Sequence, residues 1–156
     1  MTREGVFEVE YDDGDEDYEA AVSVRYAVFV EEQGVPEDLE LDEHEADAVH
    51  FVAYDEGEPV GAARLRDYGD GDAKVERVAV LVDRRGEGWG GRLMDAVEAA
   101  AAERGFDRLV LNSQTHAAGF YRRRGYEQVG GEFEEAGIPH VTMVKSVASA
   151  DDGSTV

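Results

Sequence analysis

Cysteine is absent from the 156 residues, which excludes disulfides, thiolate metal sites and a cysteine nucleophile. Lysine is scarce, with Lys74 and Lys145 its only occurrences. Basic residues are too few to build a face that follows a phosphate backbone, so no nucleic acid partner is expected. No apolar run approaches the length of a membrane span, and the N-terminal stretch lacks a basic-then-apolar signal pattern. The chain therefore reads as cytoplasmic, with no membrane partner. His44, His50, His116 and His140 have no metal-type spacing, so no metal site is expected.

What is abundant is acid: 37 Asp and Glu against 15 Lys and Arg, for a formal net charge of -22. Like charge at this density destabilises a compact fold, and molar salt, with a Debye length of roughly 3 Å, screens it. The acids are spread along the whole chain rather than forming one tail, which suits a halophilic, salt-adapted surface better than a single site for a basic partner. The length, with 42% apolar residues, fits a single domain over residues 1–148, and the polar residues 149–156 read as a loose tail.

No internal repeat is visible. Residues 6–11 alternate apolar and polar, as in a half-buried strand. The acidic residues 12–17 favour the start of a helix, in which Tyr18, Ala21, Val22, Val28 and Phe29 fall at helical spacing with Arg25 inside the stripe. Residues 34–47 form a connector or short irregular helix. Residues 49–54 and 59–65 read as a hairpin turned at 55–58, and 67–72 as a second turn. Residues 74–82 form a strongly apolar strand. A glycine-rich turn follows, then a helix with Trp89, Leu93, Ala96, Val97 and Ala100 on one face, stopped by Gly105. A short strand at 108–111, a helix at 117–124, and strands at 127–133 and 140–147 around a turn at 137–139 complete a mixed α/β domain.

The turn is Arg85-Gly86-Glu87-Gly88-Trp89-Gly90-Gly91. Glycines between a buried strand and a helix let backbone approach a ligand closely, and the unpaired first N–H groups of a helix suit a phosphate or pyrophosphate. Gly86, Gly88 and Gly91 also satisfy a dinucleotide fingerprint, but the motif lies past mid-chain and the next strand ends at Leu111-Asn112 without an acid. No Gly-Lys-Ser/Thr follows, so the turn is not a phosphate loop of that type. A helix start that merely needs packing room is the plainest alternative. The only arginine runs, Arg84-Arg85 and Arg122-Arg123-Arg124, sit at the turn and at the end of the helix at 117–124; guanidinium groups suit phosphate, though some would neutralise neighbouring carboxylates.

Five segments, RYAVFVEEQG (25–34), LDEHEADAVHF (41–51), RVAVLVDRRGEGWGGRLM (77–94), SQTHAAGFYRRRGY (113–126) and GIPHVTM (137–143), resemble the GNAT acetyltransferases in order and spacing, more narrowly their ElaA-like branch. The resemblance implies a mixed, mostly antiparallel central sheet flanked by helices. It implies acetyl-CoA as cosubstrate, wedged where the strand before the glycine turn splays from the next. By position, Val78, Ala79 and Val80 bind the pantetheine arm through backbone groups. Arg85, Gly86, Gly88, Trp89, Gly90 and Gly91 lie in the stretch that holds the pyrophosphate, and Tyr121 lies near the coenzyme sulfur. The frequent family asparagine ahead of that tyrosine is replaced by QTHA (114–117).

The implied activity is N-acetyl transfer to a primary amine of a small molecule or peptide by direct attack on the thioester. An idle acyl-CoA-binding sensor is the alternative, and a homodimer is compatible with the resemblance. A lysine-like amine, with a reference pKa of about 10.4, must lose its proton before attack. Tyr121 is the expected acid for the departing sulfur, with a core aromatic as the competing role. For the base, Glu76 shares strand parity with Val78 and Val80, and His116 and His140 are the other candidates, since histidine titrates in a useful range; each has a structural alternative. Arg25 on an apolar stripe needs a partner, because an unpaired buried charge is costly.

Overall fold

The computed structural model describes residues 2–12, 14–37 and 42–147. The expected tail at 149–156 lies outside the described residues, as do residues 38–41 of the acidic connector. Strand β1 is Gly5–Glu10, and helix α1, Glu16–Arg25, continues as a π-helical segment, Tyr26–Glu32. The Asp15 carboxylate caps α1 by accepting from the N–H groups of Asp17 and Tyr18, a contribution of about 1 kcal/mol. Strands β2 (Val49–Asp55), β3 (Glu58–Gly69) and β4 (Asp72–Val80) follow, then helix α2 (Trp89–Glu103), β5 (Arg108–Gln114), helix α3 (Ala118–Arg123), β6 (Glu127–Glu135) and β7 (Ile138–Ser146).

The strands form one seven-stranded sheet in the order β1-β2-β3-β4-β5-β7-β6. Every pairing is antiparallel except β4 with β5, so the mixed, mostly antiparallel sheet is present. Three hairpins turn on a residue-plus-glycine pair with both φ positive: Glu56-Gly57, Asp70-Gly71 and Ala136-Gly137. This geometry matches the twist of the flanking strands. The last turn therefore sits one residue before the expected Gly137, and Pro139 is already paired to Glu134 in the ladder.

Alternation sorts the sheet's side chains onto two faces. Phe51, Leu65, Val75, Leu109, Leu111 and Met143 pack with Leu93, Met94 and Val97 of α2. Val9, Val52, Tyr54 and Ala62 pack with Tyr18, Ala21 and Val24 of α1. The α1 face also buries charge, with Arg25, Arg64 and His50 all fully buried. Arg25 finds its partner in Glu45, whose two carboxylate oxygens each accept from it at 2.9 Å.

Two irregularities in β4 position the site. The parallel ladder to β5 covers only Asp72 to Val75 against Arg108 to Leu111, so the two strands part beyond Val75 and leave a V-shaped opening. Against β3, Arg64 pairs with Glu76 but Ala62 pairs with Ala79. Three steps on β4 thus oppose two on β3, a bulge at Arg77, whose φ is +58.

Candidate active site

The bulge overturns the parity argument for Glu76. Regular alternation would put Glu76 with Val78 and Val80; the extra residue instead puts Val78 and Val80 on the α2 face with Val75, and Ala79 on the α1 face. Glu76 goes with Ala79, and its Oε1 accepts from Arg64 Nη2 at 2.7 Å and Arg66 Nε at 2.9 Å. Burial pushes its carboxyl up, but the two guanidinium groups outweigh this and hold it below the usual range. A carboxylate so engaged is a poor proton acceptor.

The free edge of β4 faces the V. Leu81 N–H donates to Val60 O at 3.0 Å, so the preceding carbonyl, Val80 O, points the other way, toward β5. A strand residue sends its N–H and C=O to the same side, so the Val80 N–H also lines the V, as does that of Val78 by alternation. Val80 O accepts from Arg85 Nε at 2.9 Å, and the rest of the Arg85 guanidinium forms a bidentate pair with Glu32 of the π segment, at 2.8 and 2.7 Å.

Past Val80 the chain makes a short 3-10 turn, Val82–Arg84, and enters α2 through Gly86 and Gly88, with φ of +83 and +91. Gly88 is the N-cap, no side chain caps the helix, and its first turn holds no acid. In a chain this acidic, that is a local exception that leaves the N–H groups of the first turn unopposed. A Cβ added at Gly86 or Gly88 would meet nothing within 4 Å, so the backbone there stands open. An anionic group fits this helix start.

The arginine runs divide. Arg84 pairs with Asp55 and Glu87, and Arg124 with Asp95 and Glu98, as carboxylate neutralisation would have it. Arg122 reaches only Gln128, and Arg92 lies 4.3 Å over the Trp89 ring. Among the described residues, neither forms an ion pair. Helix α3 abuts the start of α2, since a Cβ on Gly90 would meet the Phe120 ring at 3.4 Å.

Tyr121 on α3 is 7% exposed and packs in the same cluster as Val78 and Val80. Its ring lies edge-on to Phe120 and Tyr126, at 5.0 and 5.6 Å, and its hydroxyl makes no hydrogen bond among the described residues. Burial pushes its phenol up, so it stays protonated. His116 is exposed at the end of β5, its Nε2 2.6 Å from Gln114 Oε1. Gln114 Nε2 donates to Gln33 Oε1 at 2.8 Å, so the end of the π segment touches the β5 arm of the V through Gln33 and the β4 side through Glu32. His140, opposite Gln114 in the ladder, has Nδ1 2.6 Å from Ile138 O and stacks on Phe133.

No role for Gln33, Asp42 or Arg64 stands out in the sequence pattern. Only Arg64 left a signal, a charged residue at an inward position of an apolar strand. A cavity of about 510 Å³ lies beside the Glu32–Arg85 pair, but neither β5 nor α3 borders it, so it is separate from the V. Among the described residues, no helix is long and apolar enough to cross a membrane.

A family model described as acetyltransferase (GNAT) domain matches residues 8–147. The uncharacterized N-acetyltransferase YjcF of Bacillus subtilis is 46% identical over 132 residues, 84% of this chain and 94% of that protein. ElaA of Escherichia coli is 33% identical over 135 residues, 84% of this chain and 88% of its own. The ElaA crystal structure is similar with a TM-score of 0.78 at 26% identity, covering 90% of this chain and 97% of that one. An acyl-CoA N-acyltransferase from Pseudomonas aeruginosa has a TM-score of 0.79 at 29% identity, covering 90% and 97%. The chain belongs to the GNAT acetyltransferase family, with ElaA among its homologues, and is an acyltransferase whose cosubstrate is acetyl-CoA.

Proposed function

We propose that the chain transfers an acetyl group from acetyl-CoA to a primary amine of a small molecule or peptide, by direct attack of the amine on the thioester. The observation that carries this reading is the continuity of the V with the uncapped start of α2. The free edge at Val78 and Val80 leads within a few residues to Gly86, Gly88, Trp89, Gly90 and Gly91, with Tyr121 packed beside the strand.

The first-turn N–H groups of α2 hold the pyrophosphate, and Arg92 in that turn and Arg122 and Arg123 on α3 have no carboxylate partner among the described residues. The backbone of Val78, Ala79 and Val80 lies along the pantetheine arm. The coenzyme supplies an activated acyl thioester. The Val80 N–H is placed to stabilise negative charge on the thioester oxygen, and Tyr121 Oη holds a proton for the departing sulfur. His116 is the candidate acceptor for the amine proton. Its Nε2 bond to Gln114 leaves Nδ1 without a hydrogen-bond partner among the described residues. Gln33, Gln114, His116 and His140 give the mouth a hydrogen-bonding lining suited to a polar amine.

Thiol release in molar salt tests this, using acetyl-CoA with a panel of amines and mass spectrometry of the acceptor. N-acetylated product from at least one amine is expected. Coenzyme binding without release across the panel would replace the proposal with an idle acyl-CoA sensor, and release with only hydroxyl or thiol acceptors would move it to another transfer class.

A further inference from the structure

The bulge in β4 is strained and heavily tethered. Arg77 holds φ +58 without being glycine, a conformation that costs of order 1 kcal/mol or more and persists only where its surroundings enforce it. What surrounds it is an ionic cluster on the α1 face, buried at Arg64 and Glu45 and partly exposed at Asp42 and Arg77. Arg77 Nη2 donates to Asp42 Oδ2 at 3.2 Å. Asp42 also accepts from Arg64 Nη1 at 2.8 Å and Nη2 at 3.0 Å. Arg64, fully buried, donates in turn to Glu76 Oε1 and to Glu45 Oε1, at 2.7 and 2.9 Å. Glu45 is anchored to α1 by Arg25 and by the Tyr18 hydroxyl, the latter at 2.6 Å. Glu76 and Arg77, the two residues on the near side of the bulge, are therefore both tied to one guanidinium–carboxylate pair, Arg64 with Asp42.

Stability alone does not account for such a cluster, because apolar side chains of similar volume commonly serve a core as well as buried ion pairs do. Geometry does. The bulge turns Val78 and Val80 to the α2 face, and it lies immediately past Val75, where the ladder to β5 ends.

We propose that Asp42, Arg64 and Glu76 are positioning residues for acyl transfer: they hold the Arg77 bulge and so set the direction of the Val78 and Val80 N–H groups. This rests on the reading above that those groups face the thioester. Glu76 thereby serves the reaction through the backbone rather than as a base.

Three variants test it, with kinetics, calorimetry and hydrogen exchange in molar salt. Asp42→Asn keeps the side chain's size and weakens both of its tethers. Arg77→Gly removes one tether while leaving a residue at ease at positive φ, and Arg77→Lys keeps a cation for Asp42. A single misdirected oxyanion donor costs up to about 100- to 1000-fold in kcat. Asp42→Asn is expected to lose about 10- to 100-fold, with faster exchange at amides 78–80. Adenosine 3′,5′-bisphosphate, which lacks the acyl arm, should bind within about twofold of the parent, while acetyl-CoA binds several-fold more weakly. Arg77→Gly should fall in the same direction and Arg77→Lys recover most of the loss; if Arg77→Gly does not fold, Asp42→Asn decides. A folded Asp42→Asn with parental kcat and parental exchange overturns the proposal. So does equal loss of adenosine bisphosphate binding, which marks a general structural role. A parent that binds no acetyl-CoA in the same calorimetry instead sinks the reading on which the proposal rests.

Discussion

Tyr121 separates packing from chemistry within one side chain. Its ring fills a place between Phe120 and Tyr126 that phenylalanine would fill equally well, and its hydroxyl joins none of the hydrogen bonds described around it. Burial keeps the phenol protonated, the state required of a proton donor. Tyr121→Phe should therefore leave the melting temperature and the shift induced by acetyl-CoA nearly unchanged. Turnover should fall by about two to four orders of magnitude, the usual weight of a positioned acid. The loss should shrink with an acyl donor whose leaving group is intrinsically better. Near-parental turnover would return the residue to a packing role; loss of coenzyme binding would make the hydroxyl a ligand contact.

The start of α2 works as an element, through backbone groups that no side chain caps. Gly88 at φ +91 is required by conformation as well as by access, so Gly88→Val carries two effects. A branched side chain in a left-handed conformation costs roughly 1–2 kcal/mol, which lowers the melting temperature of the unliganded protein. In the proposed coenzyme site it also blocks the anion's approach, which should abolish the shift induced by acetyl-CoA. Gly105→Ala separates the two. Gly105 lies just past the other end of α2, at φ +81, with nothing within 4 Å of its added Cβ. It should lower the unliganded midpoint yet keep the ligand-induced shift. Equal shifts in Gly88→Val and the parent would place the coenzyme elsewhere.

Across the whole molecule, two electrostatic effects oppose each other. The formal charge of -22 repels itself, so the midpoint should fall between molar and tenth-molar salt as screening is withdrawn. An unchanged midpoint would remove the salt-adaptation reading in favour of a specific basic partner. Inside, burial pushes the Asp42 and Glu45 carboxyls up, but the guanidinium groups of Arg64 and Arg25 outweigh it and leave both at about 2. A depressed native pKa gives stability that is fully present above the unfolded value, near 4, and is lost as pH falls through the native value. In molar salt, where surface repulsion is already screened, the midpoint should therefore drop steadily from about pH 5 to pH 2. Asp42→Asn should flatten part of that slope, and a parallel slope in the mutant would deny the cluster this role.

The glycine turn, the apolar strand before it and the amphipathic helix after it were legible because each is a pattern of adjacent residues, set by backbone periodicity. The order of the family-like segments, and with it the mixed sheet, was legible for the same reason. The burial of Arg25 could be anticipated as a need for a partner, but the partner could not, since Glu45 lies 20 positions away and is brought there by the packing of α1 over β2 and β3. Gln33 and Gln114 meet across 81 positions because the sheet order sets β5 beside the end of the π segment. The one-residue bulge at Arg77 decided most. Strand parity read from the sequence assumes an unbroken period of two, and a single unpaired residue reverses every side chain beyond it. Composition and local pattern determined the fold class, the glycine turn that opens α2 and the acidic excess. Only tertiary pairing decided which face Glu76 takes, because register is fixed by the partner strand and not by the strand itself.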